Sequence, residues 1–174
     1  MSEPGEFTRM VRSDALPARP LTVTANEAER LALARRFGLP AIHALEAQVS
    51  FSPDGEGVRA EGTLAASFDQ LCAVSGDPFG NTLDEPLGLL FVPSPEKIFD
   101  PEEEIELADD ELDEIAFEGR EFDLGEAIAQ SFALSIDPYA EGPDAAAARR
   151  EAGLLDEAAA GPFAALAALK KDRD

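Results

Sequence analysis

Two neighbouring segments in the first half of the chain alternate apolar and polar residues. The apolar side chains stand at every second position: Leu45, Ala47, Val49 and Phe51, then Val58, Ala60, Gly62, Leu64, Ala66 and Phe68. Pro53-Asp54-Gly55 between them has turn residues. The pattern predicts an antiparallel hairpin over 45–51 and 58–68 with one buried face, since a parallel pair would need a crossover of a dozen or more residues.

Shorter apolar runs predict further strands around this hairpin. They cover Phe7 to Val11, Leu87 to Val92 and Ile115 to Phe117, while Leu71 to Val74 is expected to continue the 58–68 strand after a bend. Asp77-Pro-Phe-Gly-Asn81 has the composition of a second turn.

Capping patterns predict two helices. Thr24-Ala-Asn-Glu27 is typical of a capping box, and the helix of about eleven residues after it ends at Gly38. Its predicted face carries Ala28, Leu31, Ala32 and Arg35. A second helix opens at Asp123-Leu-Gly-Glu126, has an apolar stripe, and stops before Pro138. The stripe consists of Leu124, Ile128 and Phe132.

These elements predict one α+β domain over residues 1–140. We expect an antiparallel meander, open or barrel-like, covered by two helices. Residues 141–174 form an alanine-rich tail that ends in a short helix, because Pro162 suits a first helical position and an apolar stripe follows it. Phe163, Leu166 and Leu169 make up this stripe, with Lys170 and Lys171 after it. The stripe either docks on a partner or packs on its own domain.

Charge adds the strongest constraint on partners. The formal net charge is −22, and ten acids fall within residues 100–114, called here the acidic segment. Such a surface repels phosphate backbones and attracts basic proteins; the alternative is a solvated loop that keeps the protein soluble. Candidate partner-binding residues are Glu102, Glu103, Glu104, Asp109, Asp110, Glu111, Phe163, Leu166 and Leu169.

Catalytic and cofactor signatures are missing from the sequence. His43 is the single histidine, expected to be structural, and Cys72 the single cysteine, expected to be an inert apolar residue in a strand. One cysteine excludes an internal disulfide and fits a reducing compartment. There is no phosphate loop and no calcium loop. We therefore expect no enzyme activity, no cofactor and no metal. Without a signal peptide or a membrane-spanning run, the expected location is the cytoplasm.

Three pieces of the sequence together resemble the YceD family of large ribosomal RNA subunit accumulation proteins. They are the strand Gly62 to Ser75 with Cys72, the run from Glu121 to Tyr139, and the run from Pro162 to Lys171. The motif positions are Cys72, Asp123, Leu124, Gly125, Glu126, Asp137, Pro138, Pro162, Phe163, Leu166 and Lys170.

The resemblance implies a role in large-subunit ribosomal RNA accumulation and hence in ribosome assembly. It does not carry a metal site to this chain, because Ser75 stands where many members have a second cysteine. The first hypothesis is a non-enzymatic assembly factor that binds a basic ribosomal protein or an assembling large-subunit particle. The second is a direct RNA-binding or RNA-processing protein. The third is an acidic regulatory module unrelated to ribosomes. The second needs an exposed patch built from Arg9, Arg12, Arg19, Arg30, Arg35 and Arg36.

Overall fold

The computed structural model describes residues 6–94 and 113–152, which form seven strands and three helices. The strands are β1 (Met10–Arg12), β2 (Leu21–Thr24), β3 (Ala41–Asp54), β4 (Gly57–Leu71), β5 (Pro78–Pro93), β6 (Asp113–Phe117) and β7 (Glu121–Asp123). The helices are α1 (Glu27–Phe37), α2 (Leu124–Ser135) and α3 (Ala145–Glu151). The predicted division at residue 140 stays a prediction.

Five strands form one sheet in the order β2-β3-β4-β5-β6, and β1 pairs with β7 in a separate ribbon. Strands β2 to β5 are antiparallel neighbours, whereas β6 runs parallel to β5. The α+β class and the meander are confirmed. Among the described strands β2 and β6 remain edges, so the sheet is not closed into a barrel.

The predicted hairpin is confirmed with its register. Leu45 lies opposite Ala66, and Phe51 lies opposite Ala60. The strands are longer than predicted, 14 residues in β3 and 15 in β4. Gly62 is required where the two strands approach closely, because a Cβ there would overlap the Gln48 carbonyl group of β3.

Helices and the β1/β7 ribbon cover the apolar face of the sheet. Phe132 of α2 packs edge-on against Phe68 of β4, with ring centroids 5.2 Å apart. Phe122 of β7 stacks on Phe91 of β5 at 4.0 Å. Each aromatic side chain buried in this way stabilises the fold by roughly 1.5–3 kcal/mol. Along the described strands, the opposite face of the sheet is open to solvent.

The N-terminus of α1 differs from the prediction. Asn26, not Thr24, is the capping residue: its side chain accepts from the Glu29 backbone N–H, and the Glu29 carboxylate accepts from Asn26 N. Thr24 is the last residue of β2 and donates instead to Glu46. Gly38 ends the helix in the left-handed conformation, as predicted.

The buried side of α1 was also assigned wrongly. The core contains Leu33 and Ala34, while Leu31 of the predicted face is 54% exposed. Alanines are spread around this helix, so its pattern does not select one side.

The strand boundaries need two further corrections. β1 begins at Met10, and Phe7 is a buried residue before it. β4 ends at Leu71, so the second turn lies within residues 72–77, and the predicted turn residues 78–81 already belong to β5.

The long β5 strand has an outer edge that β6 covers only from Leu89 onward. Pro78 and Pro86 have no N–H to offer there, and the N–H of Thr82 is bonded to the Asn81 side chain. These features protect the edge from pairing with other strands.

Candidate partner-binding surface and cysteine turn

Two described residues, Ser94 and Asp113, anchor the chain to the β5/β6 pair on either side of residues 95–112. Ser94, just after β5, donates its N–H to the Phe117 carbonyl at 2.8 Å. Asp113, at the start of β6, lies opposite Leu89. The predicted site residues between these anchors lie outside the described residues: Glu102, Glu103, Glu104, Asp109, Asp110 and Glu111. So do Pro162, Phe163, Leu166, Leu169 and Lys170.

The described part of the chain is itself acidic, with 22 Asp and Glu residues against 10 Arg residues. Six of these arginines form ion pairs with carboxylates. The pairs include Arg9 with Glu29 at 2.8 Å, Arg12 with Asp14 at 2.8 Å and Arg36 with Glu126 at 2.7 Å. In each pair the hydrogen bonds between the partners raise the pKa of the guanidinium and lower that of the carboxyl group.

These pairs take up three of the six arginines that a direct RNA-binding surface would need. A fourth, Arg30, donates to the backbone carbonyl of Ala25 at 2.7 Å. An arginine that neutralises a protein carboxylate has less charge to offer a phosphate. Three of the six arginines are therefore held by carboxylates of the protein itself.

The motif at Asp123–Glu126 holds the N-terminal strand against α2. One Asp123 carboxylate oxygen accepts from the N–H groups of Gly125, Glu126 and Arg9, at 2.8–3.2 Å. Leu124 is fully buried. A Cβ at Gly125 would lie 2.8 Å from Arg9 N and closer still to the Phe7 carbonyl oxygen. The capping of α2 was predicted; the contact with residues 7–9 was missed, because it joins positions more than a hundred residues apart.

Cys72 does not lie in a strand, contrary to the prediction. It follows β4 in a turn, and its Sγ accepts from the N–H groups of Val74 and Ser75, both at 3.4 Å. Donors from Ser75, first its hydroxyl, lower the pKa of the thiol to about 7. The side chain is only 4% exposed. Thiol reactivity follows the fraction of thiolate, so these donors favour reactivity and the 4% exposure opposes it. The expected role of Cys72 as an inert apolar residue stays a prediction.

Residues 137–145 pack over the cysteine turn. Ala73 donates its N–H to the Ala140 carbonyl at 3.0 Å, and Gln70 donates from Nε2 to the Asp137 carbonyl at 3.4 Å. The Gln70 Oε1 atom is buried without a partner among the described residues. A Cβ at Gly142 would meet the Phe79 ring at 3.0 Å and Cys72 Cβ at 3.4 Å. Asp137, before Pro138, accepts from Tyr139 N and fixes the bend into this segment.

His43 and a shallow groove are the remaining candidates for a site. His43 stands at a β-bulge in β3, with its Nε2 3.1 Å from Asp69. The groove, of about 340 Å³, runs between α1 and the start of β3 and includes Leu31 and Ile42 in its lining. In residues 6–94 and 113–152, no three His, Cys, Asp or Glu side chains are grouped as metal ligands.

None of the described helices is both long enough and apolar enough to cross a membrane. Neither a curated protein nor a solved structure matches this chain. A family model does: the large ribosomal RNA subunit accumulation protein YceD matches residues 60–170. This range runs from β4 through the cysteine turn and the Asp123–Glu126 motif to the last motif position, and it covers more than half of the sequence. The chain belongs to the YceD family of large ribosomal RNA subunit accumulation proteins.

Proposed function

We propose that this protein is a non-enzymatic factor in large ribosomal subunit assembly that acts on a basic partner protein in the cytoplasm. The family supplies the context of large-subunit ribosomal RNA accumulation. The choice of a basic partner rests on the surplus of carboxylates. The described residues carry 22 Asp and Glu against 10 Arg, a net charge of −12. A field of this sign speeds encounter with a basic protein and opposes contact with RNA phosphates.

The acidic segment is the main candidate for this encounter. Its candidate contact residues are Glu102, Glu103, Glu104, Asp109, Asp110 and Glu111. The nearest described residues, Ser94 before the segment and Asp113 within it, lie beside the β5/β6 pair at an edge of the sheet, which supports this assignment. The stripe of Phe163, Leu166 and Leu169 keeps its two alternatives, an apolar contact with the partner or packing on its own domain.

Affinity purification from growing cells at low salt tests the proposal. The full chain is expected to retain a basic protein of the large subunit, or an assembling particle that contains it, after nuclease treatment. Recovery of ribosomal RNA that is lost with nuclease, without any ribosomal protein, would favour direct RNA binding. Recovery of neither would favour a regulatory role outside ribosome assembly.

A further inference from the structure

One whole face of the five-stranded sheet has no covering layer among the described residues. The α1 and α2 helices and the β1/β7 ribbon pack on the other face, where Leu64, Phe68 and Phe91 are buried. Side chains at the alternate positions point away from the core and stay exposed. They include Gln48 and Ser50 of β3, Thr63 and Ala65 of β4, Thr82 of β5 and Ala116 of β6.

Carboxylates surround the open face. Glu46 of β3 lies opposite Ala65, which lies opposite Asp84 of β5. Strand spacing puts these two acids about 10 Å apart. Glu61 and Glu114 point to the same side from β4 and β6, and all four carboxylates are exposed.

Arg59 and His43, on or beside this face, each lie against a carboxylate of the protein. Arg59 of β4 donates to Asp54 at 2.6 Å and lies 4.0 Å from Glu61, which leaves Glu46, Asp84 and Glu114 away from this arginine. His43, in the bulge of β3, lies against Asp69. The face therefore presents net negative charge.

The middle of the face is flat, and part of it is apolar. Thr63, Ala65 and Gly88 have small or no side chains, while Leu90 and Val92 of β5 are half-buried on this side. An apolar centre with a charged surround is the usual anatomy of a protein interface. The anchors of the acidic segment, Ser94 and Asp113, adjoin the apolar part.

We infer that the open sheet face is the docking surface for a lysine- and arginine-rich segment of a partner protein. The basic side chains pair with the surrounding carboxylates, and an apolar residue covers Leu90 and Val92. This inference rests on the proposed function and adds the place where the partner binds. A second copy of the chain would bring like charges together, and a nucleic acid would bring its phosphates against carboxylates, so both are disfavoured.

Two matched triple variants of the full chain test the docking surface. The first neutralises the face: Glu61→Gln, Asp84→Asn and Glu114→Gln. The second, the helical variant, makes the same change of charge at exposed positions of α1 and α3: Glu27→Gln, Asp144→Asn and Glu151→Gln. The probe is the mixture of large-subunit ribosomal proteins freed of RNA. The face variant is expected to associate about tenfold more slowly than the unaltered chain, and the helical variant within about twofold.

A site-specific label reports the contact directly. The chain has no tryptophan, so Thr63→Trp with a fluorine-labelled indole gives one resonance on the open face, and Glu151→Trp gives the control. Adding the same protein mixture is expected to shift the first resonance and leave the second in place.

The outcomes separate the two levels of the proposal. If no large-subunit protein binds the unaltered chain, the proposed function fails and the docking surface fails with it. If a protein binds but the face variant and the Thr63→Trp resonance respond no more than their controls, the proposed function stands and the docking surface is wrong. A shift of the Thr63→Trp resonance caused by deleting residues 153–174 without any partner would mean that the chain's own C-terminal segment occupies the face, which also overturns the inference.

Discussion

Arg36 and Glu126 join the two helices that cover the sheet through a pair of parallel hydrogen bonds. Arg36, in the last turn of α1, donates from Nη1 and Nη2 to the two carboxylate oxygens of Glu126, at 2.9 and 2.7 Å. Glu126 lies in the first turn of α2, where a negative charge also suits the helix dipole. The pair therefore fixes how the end of one helix meets the start of the other.

Breaking this pair is expected to destabilise the fold moderately. Both side chains are about a third exposed, so Arg36→Gln should cost about 1 kcal/mol. In a chain of this size that lowers the Tm by roughly 2–4 °C. Glu118→Gln, at an exposed carboxylate, is the control and should leave the Tm within a degree or so.

Lowering the pH should remove the contribution of the Arg36–Glu126 pair to the free energy of unfolding. The bonds from Arg36 lower the folded-state pKa of Glu126. The stabilisation is therefore complete above the ordinary glutamate pKa and is lost as the pH falls through the lowered value. Urea unfolding at neutral and acidic pH should show the difference between Arg36→Gln and the unaltered chain shrinking in acid. A difference that grows in acid would contradict the assignment.

Gly125→Ala is expected to destabilise the protein by about 2 kcal/mol or more. The new methyl group would press on the backbone of Phe7 and Arg9, which cannot move without disturbing the β1/β7 ribbon. Gly80→Ala is the matched control, since its nearest neighbour would be the Asp69 side chain at an ordinary 3.6 Å. Equal midpoints of urea unfolding for the two variants would show that residues 7–9 do not pack on α2 in this way.

The thiol of Cys72 is expected to ionise near neutral pH. Ultraviolet absorbance of the thiolate should titrate with a pKa of about 7 in the folded chain, against 9.0 for an unperturbed thiol. Because the folded pKa is depressed, the thiolate stabilises the fold most above pH 9, and this contribution is lost as the pH falls through about 7. Ser75→Ala removes the main donor and should raise the pKa; an unchanged titration would exclude the hydroxyl as its cause.

Two measurements, the off-rate of the complex and the Tm of the free chain, show whether the C-terminal stripe contacts the partner or its own domain. If Phe163 and Leu166 contact the partner, changing both to alanine should raise the off-rate of the complex and leave the Tm of the free chain unaltered. A fall in Tm with unchanged binding would place the stripe on its own domain.

The elements that depend only on neighbouring residues, the hairpin and the cap of α2, were predicted correctly from local sequence patterns. The alternation around Phe51 and Phe68 fixed the hairpin register, and the Asp123 carboxylate caps α2 as its sequence indicates. At α1 two overlapping patterns compete, Thr24 to Glu27 and Asn26 to Glu29. Pairing of Thr24 with Glu46 in the sheet decides between them, and that pairing is non-local.

Features that depend on distant residues could not be predicted. β6 pairs with β5 in parallel across the acidic segment, and nothing in Ile115 to Phe117 indicates the direction. The turn at Cys72 depends on its contact with Ala140 and Gly142, some seventy residues later. The pairing of Arg36 with Glu126 likewise spans ninety residues. Of the candidate site, the sequence predicted the sign of the charge but not the open face that carries part of it.

The acidic segment is expected to control the rate of encounter with a partner. Replacing Glu102, Glu103 and Glu104 with glutamine should slow association more than it speeds dissociation, because exposed charges act mainly by steering. Stopped-flow association with large-subunit proteins measures both rates. A change confined to the dissociation rate would mean that these residues form tight contacts instead.

Separate exposure of the purified chain to the two components of the large subunit tests the central claim most directly. Immobilised protein is presented with RNA-free large-subunit proteins and, in parallel, with protein-free large-subunit RNA, over a series of salt concentrations. The account predicts that a basic protein is retained at low salt and released as the salt rises, since the Debye length is only about 10 Å at 0.1 M, while the RNA passes unbound. Retention of the RNA with no protein retained would contradict it.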